Sequence, residues 1–157
     1  MMKRFLTILL LAGASTTFAG VAEDFGKTAE PHLTQQDKGT GISFFHGEWE
    51  QALAKSKQDK KLIFLDAYAA WCGPCKWMAK NAFMDEEVGK LFNANFINVK
   101  MDMEKNKEGS RLMQKYSIRA YPTLVFVDHN EEAVHVSVGA LKPKELLVLG
   151  QQVVSMP

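Results

Sequence analysis

Leu62-Ile63-Phe64-Leu65-Asp66-Ala67-Tyr68-Ala69-Ala70-Trp71-Cys72-Gly73-Pro74-Cys75-Lys76 decides how this chain is read. Its first seven residues form an apolar, strand-like run, and Cys72 opens what reads as a helix. Cys72 and Cys75 are the only two cysteines among 157 residues. Two cysteines three apart at a strand-to-helix junction suit cycling between dithiol and disulfide.

That cycle needs an attacking thiolate, a resolving thiol within reach, and access for a substrate disulfide. Residues three apart on a first helical turn face the same way, with Cα atoms about 5 Å apart, inside disulfide range. Cys72 would sit at the helix N-terminus, where unpaired N–H groups and the helix dipole favour negative charge. Lowering a thiol pKa from about 8.5 to about 7 makes roughly half of it thiolate at neutral pH, for about 2 kcal/mol. Pro74 falls in the first turn, where its missing N–H costs little, and Gly73 leaves room for a substrate backbone. Cys75, expected to be the more buried, would be the resolving thiol.

Two other readings use the same pair. A zinc site needs four ligands, and the chain offers neither a second CxxC nor a histidine pair at ligand spacing. His32, His46, His129 and His135 are scattered. An inert structural disulfide would close a very small loop and restrict the unfolded chain little. The dithiol cycle calls for neither cofactor nor metal.

Around this junction the pattern alternates. A short strand is expected at Ile42–Phe45, a helix from about Glu48 to Gln58, the strand Leu62–Tyr68 and the helix from Cys72. That helix should break near Phe83-Met84, with Asp85 capping a further turn through Val88 and Phe92. Phe96–Met101 reads as a strand and Lys107–Tyr116 as a helix with Leu112, Met113 and Tyr116 on one face. Thr123–Asp128 and Ala133–Val138 form an antiparallel hairpin, and a last helix runs from Pro143 to about Val154. The result is an α/β domain over residues 42–157, a central mixed sheet with helices on both faces.

The residues resemble those of thioredoxin from about Phe44 to Val154. Trp71-Cys72-Gly73-Pro74-Cys75-Lys76 is the specific motif, and three further segments agree in order. Arg119-Ala120-Tyr121-Pro122-Thr123-Leu124-Val125-Phe126 is similar to the loop and strand around the family's cis-proline. Val138-Gly139-Ala140-Leu141 is similar to its closing strand and turn. Asp66 matches the family's buried carboxylate and Lys100 the lysine that pairs with it. The thiol pKa near 7 is the value attributed to thioredoxin itself. The resemblance therefore implies the thioredoxin fold and a role for each matched residue. Asp66 takes the proton of Cys75 when the mixed disulfide is resolved, and Lys100 supports it. Pro122, in cis, leaves the Tyr121 backbone free to pair with an extended substrate segment. Trp71 covers the disulfide and shapes the substrate surface. The chain departs from cytosolic thioredoxin at Tyr68-Ala69-Ala70 and Tyr121. Trp49 with Ala52-Leu53, Cys75-Lys76-Trp77-Met78, Phe83-Met84-Asp85 and Val99-Lys100-Met101-Asp102 are more similar to exported thioredoxin-like proteins. They are also similar to the C-terminal domain of membrane thiol-disulfide reductant transporters.

The first residues carry an address. Lys3 and Arg4 precede the apolar run Phe5–Ala12, and small residues lead to Ala19-Gly20, the pattern of a secretory signal peptide over residues 1–19. Cleavage around Ala22 and an uncleaved anchor are the alternatives. Residues 20–41 are polar and aperiodic, expected to be a flexible leader. Without Lys3 and Arg4, seventeen basic residues face eighteen acidic ones, a net charge of about −1. No clustered basic surface is expected, so nucleic acid is excluded as a partner. The protein is expected to be monomeric and periplasmic or secreted, acting on disulfide-containing exported proteins.

Three functions fit. A reductant is favoured by the Gly73-Pro74 dipeptide, which resembles that of reducing family members, and implies a membrane thiol-disulfide electron donor. An oxidase or isomerase suits the same compartment. A binding module without turnover is the third, and such proteins usually lose a cysteine or the cis-proline.

Overall fold

The computed structural model describes residues 40–156. Ten elements follow the order the sequence dictates: α1 (Trp49–Asp59), β1 (Leu62–Tyr68), α2 (Gly73–Lys80), a 3-10 turn (Ala82–Met84), α3 (Glu86–Asn95), β2 (Phe96–Asp102), α4 (Gly109–Lys115), β3 (Thr123–Val127), β4 (Ala133–Val138) and α5 (Pro143–Val154). The strands join in the order β2-β1-β3-β4. β1 runs parallel to β2 and antiparallel to β3, and β3 pairs antiparallel with β4, so the sheet is mixed.

Alternation along β1 divides the core in two. Ile63, Leu65 and Ala67 pack on one face with Trp49 and Ala52 of α1 and Leu112 of α4. Phe64 points to the other face, toward Met78 of α2, Phe92 of α3 and Leu146 and Val153 of α5. On that side Phe64 meets Phe92 and Phe126 at ring-centroid distances of 4.8 and 5.3 Å. Helices therefore cover both faces, and this is the thioredoxin fold. Among the described residues no helix is long and apolar enough to cross a membrane.

Local chemistry sets the boundaries. Asp85 caps α3 by accepting from the backbone N–H groups of Glu87 and Val88, where the sequence expected a cap. Asp128 turns the β3–β4 hairpin by accepting from the N–H groups of Asn130 and Glu132. α4 begins at Gly109, two residues later than expected, because Asp102 and Asn106 draw the chain into turns. Their carboxylate and amide oxygens accept from the N–H groups of Glu104 and Glu108.

Ile42–Phe45 is not a strand. Its backbone bonds are isolated, Ile42 N–H to the Phe83 carbonyl and Phe45 N–H to the Asn98 carbonyl, each 2.7 Å, and asparagine side chains hold Gly41 and Ser43. Asn93 Oδ1 accepts from Ser43 N–H at 2.8 Å, Asn93 Nδ2 donates to the Gly41 carbonyl at 2.9 Å, and Asn98 Nδ2 to that of Ser43 at 3.3 Å. Amide side chains replace the ladder, which explains why apolar patterning misread the segment. The residue before it, Gly41, is pressed onto the 3-10 turn; a Cβ there would lie 2.4 Å from the Phe83 carbonyl oxygen. The signal-peptide assignment and all but the end of the leader lie outside the described residues.

Phe64 is fully buried at the centre of the second cluster. Phe64→Ala is expected to lower unfolding free energy by about 3–5 kcal/mol in urea titrations, and a loss below about 1 kcal/mol would contradict this packing.

Candidate active site

β1 ends at Tyr68 and α2 begins at Gly73, so four residues carry the chain from sheet to helix. Cys72 is the N-cap of α2, held extended at φ −67° and ψ 110°, with Pro74 in the first turn. The two cysteines are joined as a disulfide, with Cα atoms 5.4 Å apart, near the distance expected for adjacent positions of one turn. The Cys75 backbone N–H donates to Cys72 Sγ at 3.1 Å. That donor and the helix dipole would stabilise a thiolate on Cys72 after reduction.

Burial does not separate the two sulfurs as the sequence reading expected. Cys72 and Cys75 are each 2% exposed. In the closed disulfide both pack with Ala69, against Tyr68 and Tyr121. What distinguishes them is position: Cys72 caps the helix, whereas Cys75 lies inside it. A Cβ on Gly73 would meet nothing within 4 Å, so the front of the motif is open.

Asp66 lies one alternation along from Phe64, on the sheet face that carries α2. It is buried, and its register partner on β2 is Lys100. Lys100 Nζ donates to Asp66 Oδ2 at 2.5 Å, while Oδ1 finds no partner among the described residues. Burial pushes the Asp66 carboxyl above the usual carboxylate range, and the Lys100 charge and hydrogen bond pull part of the way back. A carboxyl in that state can take up a proton near neutral pH more readily than a solvated one.

Trp71 stands out of the surface at 68% exposure. Its indole N–H donates to both Glu104 carboxylate oxygens, at 2.9 and 3.1 Å, and its ring meets Tyr121 edge-on at 5.9 Å. Tyr121 in turn donates its hydroxyl to Met113 Sδ. The Tyr121–Pro122 peptide bond is cis. Tyr121 lies just before the β1–β3 ladder, whose first pair at this end is Ala67 with Thr123. Every residue singled out from sequence thus falls at this end of the sheet. Glu104 and Met113 were missed; they belong to a turn and a helix that carry no motif.

A sequence model of the thioredoxin-like family matches residues 45–129. The chain belongs to the thioredoxin-like family. Among curated relatives, thioredoxin-1 of Drosophila melanogaster is 38% identical over 72 residues, which cover 46% of this chain and 62% of that protein. The thiol:disulfide interchange protein DsbD of Pasteurella multocida is 37% identical over 83 residues, 52% of this chain but 14% of DsbD. The chain thus spans less than two thirds of either relative. Of solved structures, that of a candidate disulphide-isomerase from Bacteroides thetaiotaomicron superposes with a TM-score of 0.67 at 39% identity. It covers 76% of this chain and 98% of its own. The Cys72–Cys75 disulfide lies inside the stretch that the family model matches.

The raised Asp66 pKa also fixes a pH dependence of stability. Folding raises this pKa above its unfolded value, so the native state binds the proton more tightly. The contribution is present below the unfolded value of about 3.8 and is lost as pH rises through the folded one. Asp66→Asn is expected to flatten that decline in unfolding free energy above pH 4. An unchanged slope in the variant would show that Asp66 is not its source.

Proposed function

We propose that this protein is an exported protein-disulfide reductase, with Cys72 as attacking and Cys75 as resolving thiol. The observation that carries the reading is the Cys72–Cys75 pair at the start of α2, with Cys72 Sγ receiving a backbone N–H. In the reduced protein the Cys72 thiolate attacks one sulfur of a substrate disulfide. That S–S bond breaks, the departing sulfur takes a proton from water, and Cys72 is left in a mixed disulfide. Asp66 then accepts the Cys75 proton as the Cys75 sulfur attacks Cys72 Sγ. The mixed disulfide breaks, and the second substrate sulfur leaves as a thiolate that takes a proton from water. Asp66 returns its proton to solvent, and the Cys72–Cys75 bond closes. The substrate gains two electrons and two protons.

Substrate docking is assigned to the surface around the pair. An extended segment pairs with the Tyr121 backbone beside Pro122 and lies over the open front of Gly73. Trp71, locked to Glu104 and braced by Tyr121, flanks that segment.

The reducing direction is supported by the Gly73-Pro74 dipeptide, and the exchange chemistry by the likeness to DsbD, whose name describes thiol:disulfide interchange. It requires an electron source, and a membrane thiol-disulfide donor is the proposed partner. Export rests on the basic and apolar pattern of residues 1–19. The substrates are then disulfide-containing exported proteins. An isomerase is the second reading, favoured by the Bacteroides neighbour; against it, dedicated isomerases of the family typically carry a different dipeptide, often with an inserted helical domain, and none lies between α2 and β3.

Cys75→Ser is expected to accumulate a mixed disulfide with a disulfide-bonded peptide through Cys72. Cys72→Ser should form none and lose at least about 100-fold in reductase rate, as expected for removing a nucleophile. A Cys72→Ser variant that keeps its partners and phenotype would instead mean a binding module without turnover.

A further inference from the structure

Lys100 is held by more than its carboxylate. Its ammonium lies 4.3 Å from the Tyr68 ring centroid, 5.2 Å from that of Phe83 and 5.8 Å from that of Phe44. These rings come from three separate places: the end of β1, the 3-10 turn, and the segment before α1. Phe44 and Phe83 meet edge-on at 5.4 Å. Phe44 is fixed from both sides, because Ser43 is bound by Asn93 and Asn98 while Phe45 N–H bonds to the Asn98 carbonyl. Asn98 and Lys100 are two apart on β2 and share a face, so one strand carries both the charge and the clip that anchors one wall around it.

A lysine side chain has several rotatable bonds, and left to itself its ammonium turns toward water. Here only 26% of the side chain is exposed. Aromatic faces attract a cation most strongly where water is excluded. If Lys100 swung out, Asp66 would be buried without a counter-charge, with Oδ1 already unpartnered.

We propose that Tyr68, with Phe44 and Phe83, forms an aromatic cage that holds the Lys100 ammonium against Asp66. Tyr68 is thereby a positioning residue for proton acceptance at the active site. The inference rests on the reading of Asp66 as proton acceptor. The charged and titratable groups that bear on Asp66 are Lys100 from β2 and Tyr68 on its own strand; β3 sets Leu124 opposite it, and α2 places Met78 on the same sheet face. Asp102, at the end of β2, acts on Tyr68, whose phenol is held neutral by burial and by the Asp102 and Asp66 charges. The ring face is therefore the part of Tyr68 that serves Lys100.

The test is a carboxyl-carbon NMR titration of Asp66 in the reduced protein, with no substrate present, beside the rate at which Cys75 resolves a Cys72 mixed disulfide. Tyr68→Leu keeps apolar volume and removes the ring. It should raise the Asp66 midpoint, leave fewer carboxylates free to accept a proton at pH 7, and slow resolution about three- to tenfold. Tyr68→Phe keeps the ring and should match the native protein in both. Phe44→Leu, at the more distant wall, should move the midpoint the same way by less, and serves if Tyr68→Leu does not fold. An unmoved midpoint in both leucine variants would overturn the proposal, as would a Tyr68→Phe shift as large as that of Tyr68→Leu. If the midpoint moves while Asp66→Asn resolves at the native rate, the cage stands and the proton-acceptor reading falls.

Discussion

Parallel pairing of β1 with β2, in the register that sets Asp66 opposite Lys100, is the constraint on which the rest of the site depends. It buries a carboxylate on the sheet face that carries α2 and supplies its counter-charge from the neighbouring strand. Shifting the pairing by one residue would turn Asp66 to the α1 and α4 face, among Trp49, Val99 and Leu112, and would send Lys100 away from it. The apolar alternation of β1 forbids that slip, because Phe64 and Leu65 would exchange cores. Packing thus fixes the register, and the register fixes the acid–base pair.

The same strand delivers the cysteines. Four residues after β1, the backbone has turned from sheet to helix with Cys72 as the cap. The reactive sulfur therefore stands where a helix start offers N–H groups, within a domain that keeps a titratable carboxyl in its interior. The surface that would meet substrate is assembled from three loops: Trp71 after β1, Glu104 after β2 and Tyr121 before β3. The rigid sheet holds those loops together at one end.

Much of this was legible in the sequence because its signals are local. The CxxC at a strand-to-helix junction, the Asp85 cap, the β3–β4 hairpin and the Pro143 helix start each follow from a few adjacent residues. Asp66 and Lys100 came from a resemblance, since residues 34 apart meet only through strand register. The rest depends on long-range geometry. Ile42–Phe45 has a strand's composition, yet Asn93 and Asn98, far along the chain, capture its backbone. Nothing local marks Tyr68, Phe44 and Phe83 as neighbours of one ammonium. The equal burial of the two cysteines follows from closing the disulfide against Tyr68 and Tyr121. Helical position alone does not foretell it.

In the proposed reductase, electrons leave this pair toward substrate disulfides. The equilibrium reduction potential of Cys72–Cys75, measured against a thiol buffer in protein lacking residues 1–19, tests it most directly. A value near or below about −230 mV is expected of a reductant. A value above roughly −150 mV would contradict it and make the protein an oxidant of newly exported chains.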